Sequence, residues 1–198
     1  MDIRQTFDET ARVLTASAEH LPGRLQETVE LFLGCLDAGG TILVCGNGGS
    51  AADAQHLAAE LVCRVRRDRR AIPSLALTTD TSTLTAISND YGFEQIFSRQ
   101  IEALARKGDV LVAISTSGES ANVIEAAKTA RERGCRVVAL TGEGGGGLAE
   151  HADLLLDVPA TVVSRIQEIH AVCIHVLAES VEDSVVSRDQ TGDSGVMR

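Results

Sequence analysis

Five short apolar segments alternate with helical segments along most of this chain, and this rhythm restricts the fold more than any other feature. The segments are TILVCG, SLALTT, DVLVAIS, RVVALTG and LLLDV. Each is apolar throughout, which is typical of parallel strands that are buried on both faces. The intervening helices would provide that cover. The sequence therefore predicts an α/β fold of three layers, flavodoxin-like or Rossmann-like, with right-handed crossovers between the strands of one parallel sheet.

Helical segments also precede and follow this core. The first ~38 residues have a helical pattern that Pro22-Gly23 divides into two, and Gly39-Gly40 ends the second part. After Pro159 comes a long helical stretch whose apolar stripe is wide enough to indicate burial on more than one side. That stripe consists of Ile166, Ile169, Val172, Cys173, Val176 and Leu177. We predict a single domain over residues 1–198, with N-terminal helices at about 1–38, the α/β core at about 39–182 and a flexible tail at about 187–198.

Composition and charge exclude several classes of protein. The 198 residues suffice for one α/β domain, and hydrophobic residues make up 44% of them. A formal net charge of −10 argues against general nucleic-acid binding, which needs a basic surface. The basic run RVRRDRR is predicted to be mostly solvated surface, with Arg64 as the exception. We see neither a signal-peptide pattern nor an apolar run of the ~20 residues that span a membrane, so we expect a soluble, cytoplasmic protein.

The cysteines also indicate a cytoplasmic protein. There are five, scattered and without C-x-x-C spacing, which fits neither a zinc ribbon nor a disulfide framework. Reduced thiols in the cytosol fit best. Cys63 follows His56 by seven residues, on about the same helical face, and is a possible soft metal ligand. We prefer the interpretation that it is buried as a small apolar side chain.

A glycine-rich turn follows the first predicted strand. Gly46, Asn47, Gly48, Gly49 and Ser50 carry little side-chain bulk, so their backbone N–H groups can close around an anion. The helix that begins near Ser50 adds unpaired N–H groups and the positive end of its dipole. The turn therefore predicts a phosphate site.

Two further loops follow predicted strands. Asn89-Asp90 lies in the second, where a binding role and ordinary turn chemistry are equally good interpretations. The third, from Ser115 to Ser120, holds four hydroxyl groups and opens a helix. A helix N-cap needs only one hydroxyl, so we favour phosphate or sugar binding here. The segment GEGGGG at 142–147 is predicted to be a flexible connection.

Polar residues on two helices indicate a metal site or an acid/base pair. His56 and Glu60 share a face because they are four residues apart. Gln167, His170 and His175 lie on an apolar helix, where their burial costs free energy unless each is paired. Gln167 and His175 stand ~12 Å apart along a straight helix. One ion would have to lie between them, unless Gln167 precedes the regular helix or the ligands come from different subunits. This tension favours a site at a subunit interface.

Four segments in this order resemble the sugar isomerase (SIS) domain and, within it, the phosphoheptose isomerases. They are CGNGGSAADAQHLAAE, LTTDTSTLTAISNDYGF, ISTSGESANV and RIQEIHAVCIH. The resemblance runs through nearly the whole chain. It implies conversion of sedoheptulose 7-phosphate to D-glycero-D-manno-heptose 7-phosphate, the first step of heptose synthesis for cell-envelope or other glycans. It also implies a homotetramer with active sites between subunits, one zinc ion per subunit and no nucleotide cofactor.

The same resemblance assigns roles to individual residues. The family's zinc ligands fall on His56, Glu60, Gln167 and His175, and its acid/base pair falls on Glu60 and His175. Its sugar-phosphate contacts fall on Asn47, Gly48, Gly49, Ser50, Arg64, Asn89, Asp90, Ser115, Thr116, Ser117, Ser120 and Gln167. Glu119 stands where the family often has a neutral or basic residue. A carboxylate beside a phosphate is unfavourable, so we expect its side chain to point to solvent.

Three alternative functions compete with this interpretation of the sequence. The first is a non-catalytic SIS protein of the replication-initiator-associating type, but the presence of both Glu60 and His175 favours an enzyme. The second is a nicotinamide-dependent oxidoreductase, since Gly46, Gly48 and Ala51 satisfy G-x-G-x-x-A. The acidic residue expected ~20 residues later is missing, which argues against it. The third, an isomerase acting on another sugar phosphate, stays open.

Overall fold

The computed structural model describes residues 2–191. Two helices come first, α1 (Ile3–His20) and α2 (Pro22–Asp37). The α/β part follows, as β1 (Ile42–Gly46), α3 (Gly49–Val62), β2 (Ser74–Ala76), α4 (Thr81–Tyr91), α5 (Ser98–Leu104), β3 (Val110–Ser115), α6 (Ala121–Glu132), β4 (Arg136–Thr141) and β5 (Leu154–Asp157). Short 3-10 helices lie at Phe93–Gln95 and Gly146–His151, and α7 (Val163–Thr191) closes the described chain.

The five strands form one sheet in the order β2-β1-β3-β4-β5, and every neighbouring pair is parallel. In its centre, Ile42 of β1 pairs with Val110 of β3, and Val110 in turn with Arg136 of β4. All the residues of β1 and β3 are buried, as their apolar sequences predicted. The predicted parallel sheet is confirmed, with β2 shorter than the segment SLALTT.

Helices cover both faces of this sheet. Ile42 and Val44 of β1 join one core cluster with side chains of α2, α3 and α7. Leu43 and Cys45, which point the other way along the same strand, join a second cluster with α4, α5 and α6. This alternation confirms the three-layer architecture predicted from the sequence.

The N-terminal helices also agree with the sequence analysis. They meet at Leu21, with Pro22 at the start of α2, where a proline is tolerated because the first helical N–H has no partner anyway. The C-terminal helix is longer than predicted, since it continues to Thr191 through the beginning of the predicted tail. The rest of that tail, residues 192–198, lies outside the described part of the chain. Helix α5 and the two 3-10 helices were not predicted.

Two predictions about surface and burial were wrong. Cys63 is exposed rather than buried, because it follows the last turn of α3 at the surface. Arg69, which we expected in solvent with most of its run, has a completely buried side chain beside Glu182. All five cysteines are free thiols, and no helix within residues 2–191 is long and apolar enough to cross a membrane.

Candidate active site

The site lies where the strand order reverses. Strands β1 and β3 are neighbours, and the helices that follow them, α3 and α6, pack on opposite faces of the sheet. Such a switch point opens a crevice at the carboxyl ends of the two strands, where α/β proteins of this strand order bind ligands. The glycine-rich turn, residues 46–50, follows β1, and the loop from Ser115 to Ser120, the serine-rich loop, follows β3. The topology therefore brings the two predicted phosphate loops side by side.

The glycine-rich turn depends on glycine at more than one position. Gly48 has a φ of 55° and a ψ of −118°, a conformation that L residues with a side chain rarely adopt. A side chain on Gly49 would collide with the amide of Gln167, so the start of α3 and Gln167 of α7 are in close contact. Asn47 and Asn122 exchange two amide hydrogen bonds of 2.8 Å each. The turn is thereby joined to both α7 and α6.

The serine-rich loop retains hydroxyl groups that the helix does not use. Ser120 occupies the N-cap position of α6 but makes no side-chain bond to that helix. Its hydroxyl lies 3.0 Å from that of Ser115 instead, while the Ser117 hydroxyl accepts a bond from the Glu119 N–H. The carbonyl of Thr116 accepts from the Gly142 N–H. Capping therefore does not explain the hydroxyl groups of this loop.

The segment 142–147, predicted to be a flexible connection, packs against the serine-rich loop, which corrects that prediction. Gly118 and Gly145 touch so closely that any side chain on Gly118, whose φ is 69°, would strike the Gly145 carbonyl. The Gly118 carbonyl accepts from the Leu148 N–H at 2.9 Å. Glu119 is exposed, as expected, but one of its oxygens also accepts from the Gly147 N–H at 2.8 Å. The glycines allow the two loops to stack backbone on backbone.

A histidine of α7 meets the predicted pair on α3. Nε2 of His56 lies 3.4 Å from Oε1 of Glu60, and the rings of His56 and His175 pack edge to face with their centroids 4.8 Å apart. Ligand atoms of His56, Glu60 and His175 all lie within 4.8 Å of one another. Two imidazoles and a carboxylate are a donor set that zinc takes in catalytic sites. His175 is exposed, so this cluster opens to the surface of the subunit.

Neighbouring side chains differ in what they contribute. Gln167 lies against Gly49 rather than pointing away, which joins the glycine-rich turn to the helix that carries His175. His170 is fully buried, with Nε2 3.1 Å from the carbonyl oxygen of Thr141, and burial lowers its pKa to about 4. His170 is therefore an uncharged structural group. Asp53 lies one turn before His56, and burial raises its pKa, against the opposing effect of the nearby imidazole.

The remaining predicted contacts lie outside the two loops and the His56–Glu60–His175 cluster. Arg64 is exposed, two residues beyond the end of α3. Asn89 and Asp90 lie in the last turn of α4 rather than in a loop, and the Asn89 amide donates to the Asp90 carboxylate at 2.7 Å. That turn is ~12 Å along the helix axis from the end of α4 that follows β2.

Sequence reasoning missed Asn122 as a partner of the glycine-rich turn. Its position in the first turn of α6 is where polar residues are common anyway, so its type carried no special signal. Only its near-complete burial distinguishes it. The reciprocal bonds to Asn47 follow from the pairing of β1 with β3, which brings the two loops together.

Comparisons with known proteins agree with this geometry. A family model described as the SIS domain matches residues 5–142. The chain is 51% identical over 181 residues to a phosphoheptose isomerase of Roseiflexus sp. (strain RS-1), covering 91% of this chain and 90% of that protein. It is 53% identical to one from Geobacter sulfurreducens, with coverage of 91% and 96%.

Solved structures give the same result. A phosphoheptose isomerase from Neisseria gonorrhoeae matches with a TM-score of 0.87 at 49% identity, covering 91% of this chain and 97% of that one. One from Francisella tularensis matches with a TM-score of 0.89 at 36% identity, with coverage of 91% and 96%. The chain therefore belongs to the SIS domain family and, within it, to the phosphoheptose isomerases, which are enzymes.

Proposed function

We propose that this enzyme converts sedoheptulose 7-phosphate to D-glycero-D-manno-heptose 7-phosphate, the first step of heptose synthesis for cell-envelope or other glycans. The observation that carries the proposal is the cluster of His56, Glu60 and His175. The two phosphate-type loops at the switch point and the names of the relatives support a phosphorylated heptose as substrate.

The phosphate would bind to the hydroxyl groups of the serine-rich loop. Ser115, Thr116, Ser117 and Ser120 supply hydroxyl donors, and the free N–H groups at the start of α6 add the positive end of a helix dipole. Residues 47–50 of the glycine-rich turn would hold sugar hydroxyl groups or phosphate at the start of α3. Glu60 lies on α3, the helix that begins in the glycine-rich turn.

The isomerisation itself moves a proton between C1 and C2. Glu60 acts as the base that removes the proton from C1, which leaves an enediol, and returns it to C2. His175 exchanges protons with the oxygens on the same two carbons. Oε1 of Glu60 lies 3.4 Å from Nε2 of His56, and we assign the proton transfer to the second carboxylate oxygen of Glu60.

His56, Glu60, Gln167 and His175 are proposed to hold one zinc ion per subunit, and the His/Glu/His donor set fits that metal. When bound, the ion supplies polarisation of the sugar carbonyl and orients its hydroxyl groups. Gln167 contacts the glycine-rich turn already, which supports a place for it at the substrate as well as at the metal. We propose no nucleotide cofactor, since an isomerisation needs none.

A homotetramer with active sites between subunits completes the proposal. The exposed side chains of Val172 and Val176 flank His175 on α7, and they border a groove of about 300 Å³ between α1, α2 and α7 that is lined mostly by apolar residues. A neighbouring subunit would cover this face and enclose the cluster. The exposed residues Arg64, Asn89 and Asp90 would then contact substrate across the interface. The five free thiols support a cytoplasmic location.

The test is turnover of sedoheptulose 7-phosphate, followed by NMR at the anomeric proton of the aldose product. Wild type, Glu60→Gln and His175→Ala are compared, with fructose 6-phosphate as the control substrate and with chelator added and removed. We expect conversion by the wild type alone, loss with chelator and recovery with zinc. Turnover of fructose 6-phosphate instead would assign another sugar phosphate. Full activity of either variant would remove that residue from the acid/base pair.

A further inference from the structure

The last turn of α3 carries Glu60, and one buried side chain binds the carbonyl groups of that turn. Nη2 of Arg69 donates to the Glu60 carbonyl at 2.8 Å, and Nη1 donates to the Leu61 carbonyl at 2.9 Å. These groups have no partner inside the helix, and a cation there also opposes the negative end of the helix dipole. Arg69 therefore binds the carboxyl end of α3, together with the Ile72 N–H, which donates to the Leu61 carbonyl at 3.1 Å.

Glu182 of α7 binds the segment that follows α3. Its carboxylate accepts hydrogen bonds from the N–H groups of Val65, Arg66 and Arg67, at 2.8, 2.8 and 2.9 Å. It also lies 3.3 Å from Nε of Arg69, and the two side chains are 1% and 0% exposed. A carboxylate buried to this degree needs such partners, because its desolvation is otherwise costly. The pair thus joins α7 to the loop that begins at Arg64.

Arg69 and Glu182 also connect the two residues that we propose for the chemistry, which are Glu60 and His175. Glu182 follows His175 by seven residues, which is about two turns or ~10 Å on the same helix. Arg69 holds the carbonyl of Glu60 itself. A series of contacts therefore runs from the backbone of Glu60 through Arg69 and Glu182 to the helix that carries His175.

We propose that Arg69 and Glu182 are positioning residues for the active site. They hold the carboxylate of Glu60 at a fixed distance from the imidazole of His175, and they hold the loop that presents Arg64. The roles of Glu60, His175 and Arg64 rest on the proposed function. A purely stabilising role is the competing explanation, but buried ion pairs often add little stability over apolar replacements.

The test compares Arg69→Lys and Glu182→Gln with Arg67→Ala. Lysine keeps the charge beside Glu182 but cannot donate to the carbonyl groups of Glu60, Leu61 and Arg70 together, because it lacks the planar fork of donors. Arg67 is the matched control, since its side chain is exposed and pairs with Asp183 at the surface. The measurements are kcat and KM per folded enzyme, zinc affinity by chelator competition, and hydrogen exchange at residues 65–67.

We expect both buried-pair variants to lose about 10- to 100-fold in kcat and in zinc affinity, as changes behind a metal ligand commonly do. Exchange at residues 65–67 should accelerate in both, and Arg67→Ala should match wild type. Unchanged kcat and zinc affinity in folded Arg69→Lys would overturn the proposal. If the wild type has no turnover, the proposed function fails, while zinc affinity and exchange still decide this inference.

A double variant, Arg69→Met with Glu182→Leu, separates positioning from stability. It replaces the buried ion pair by apolar side chains of similar length. We expect its thermal midpoint to recover relative to whichever single variant is less stable, while kcat and zinc affinity stay low. Recovery of kcat together with the midpoint would show that the pair acts through stability alone and would overturn the proposal. The same comparison decides the matter if a single variant fails to fold.

Discussion

Ser120 is an N-cap residue whose hydroxyl is not used for capping. It lies 3.0 Å from the Ser115 hydroxyl, at the carboxyl end of β3. Ser115 is buried, so the two hydroxyls can orient each other toward one ligand atom. At the scale of single residues, the site thus holds hydroxyl groups that are not used to cap the helix.

We expect Ser120→Ala to raise KM for the sugar phosphate about 10-fold or more, because one hydrogen bond to a charged phosphate is lost. The thermal midpoint should fall only slightly, since no capping bond is removed and only the contact with the buried Ser115 hydroxyl is lost. Steady-state kinetics and thermal unfolding measure the two effects. Ser184→Ala, which removes a half-buried hydroxyl that donates to the Ser180 carbonyl on α7, is the control. A lowered midpoint with unchanged KM would assign Ser120 to structure.

His170 makes stability depend on pH in a defined direction. Burial lowers its folded-state pKa to about 4, from an ordinary value of 6.5. Between these values the unfolded chain binds a proton that the folded protein does not, so the free energy of unfolding falls as the pH falls from 6.5 to about 4. The full loss is about 3 kcal/mol, since one pKa unit corresponds to roughly 1.4 kcal/mol.

His170→Gln tests this expectation, because glutamine can donate to the Thr141 carbonyl but does not titrate. Denaturant unfolding at several pH values should show a shallower decline for the variant over that window. An identical pH dependence in both proteins would mean that other groups cause the acid sensitivity.

At the scale of elements, the contact between α3 and α7 governs the site. Gly49 begins α3 directly against the Gln167 amide, and His56 meets His175 about two turns further along both helices. The Arg69–Glu182 pair lies at the far end of the contact. Three contacts along two helices leave little freedom to change their relative position. The side chains of the candidate metal site are therefore held by packing as well as by a bound ion.

Gly49→Ala is expected to displace the Gln167 amide and to reduce activity and zinc affinity about 10-fold or more. The free energy of unfolding should change little, because the amide is the flexible end of a side chain and alanine favours a helix. Gly34→Ala in α2 is the matched control, since a side chain there meets nothing within 4 Å. It should add roughly 0.5–1 kcal/mol of stability without affecting activity. Unchanged zinc affinity in Gly49→Ala would argue against Gln167 as a ligand.

At the scale of the whole molecule, the candidate active site lies beside uncovered apolar surface. Val172 and Val176 are 41% and 39% exposed, and α1 adds Ile3 and Phe7 at more than 70%. Exposed apolar side chains that border an apolar groove, as the two valines do, commonly mark an interface between proteins. The open position of His175 next to these valines connects assembly with activity in the proposed tetramer.

The double substitution Val172→Asp, Val176→Asp is expected to break the assembly, because charge at a buried apolar interface is costly. Light scattering coupled to gel filtration should detect smaller species, and turnover should fall at least about 10-fold. Leu104→Glu, an exposed apolar position on α5 of the other face, serves as the control. A fully active monomer would contradict the interfacial site.

The elements that sequence reasoning predicted well are those governed by local chemistry. The buried strands, the break at Pro22, the helix after the glycine-rich turn and the His56–Glu60 pair all depend on residues within a few positions of one another. The zinc ligands, the substrate contacts and the tetramer stay predictions. The errors at Cys63, at Arg69 and in the segment 142–147 share a cause, since burial and partners there come from distant parts of the chain.

The sequence by itself therefore determined the parallel α/β class, the glycine-rich and serine-rich segments at two strand ends and the helical His–Glu pair, because periodicity and turn chemistry are local. Only the tertiary structure decided that β1 and β3 are neighbours, that His175 meets His56, and that Arg69 and Glu182 join α3 to α7. These contacts link residues far apart in the chain. They are selected by the packing of two core faces against one sheet, which no local propensity encodes.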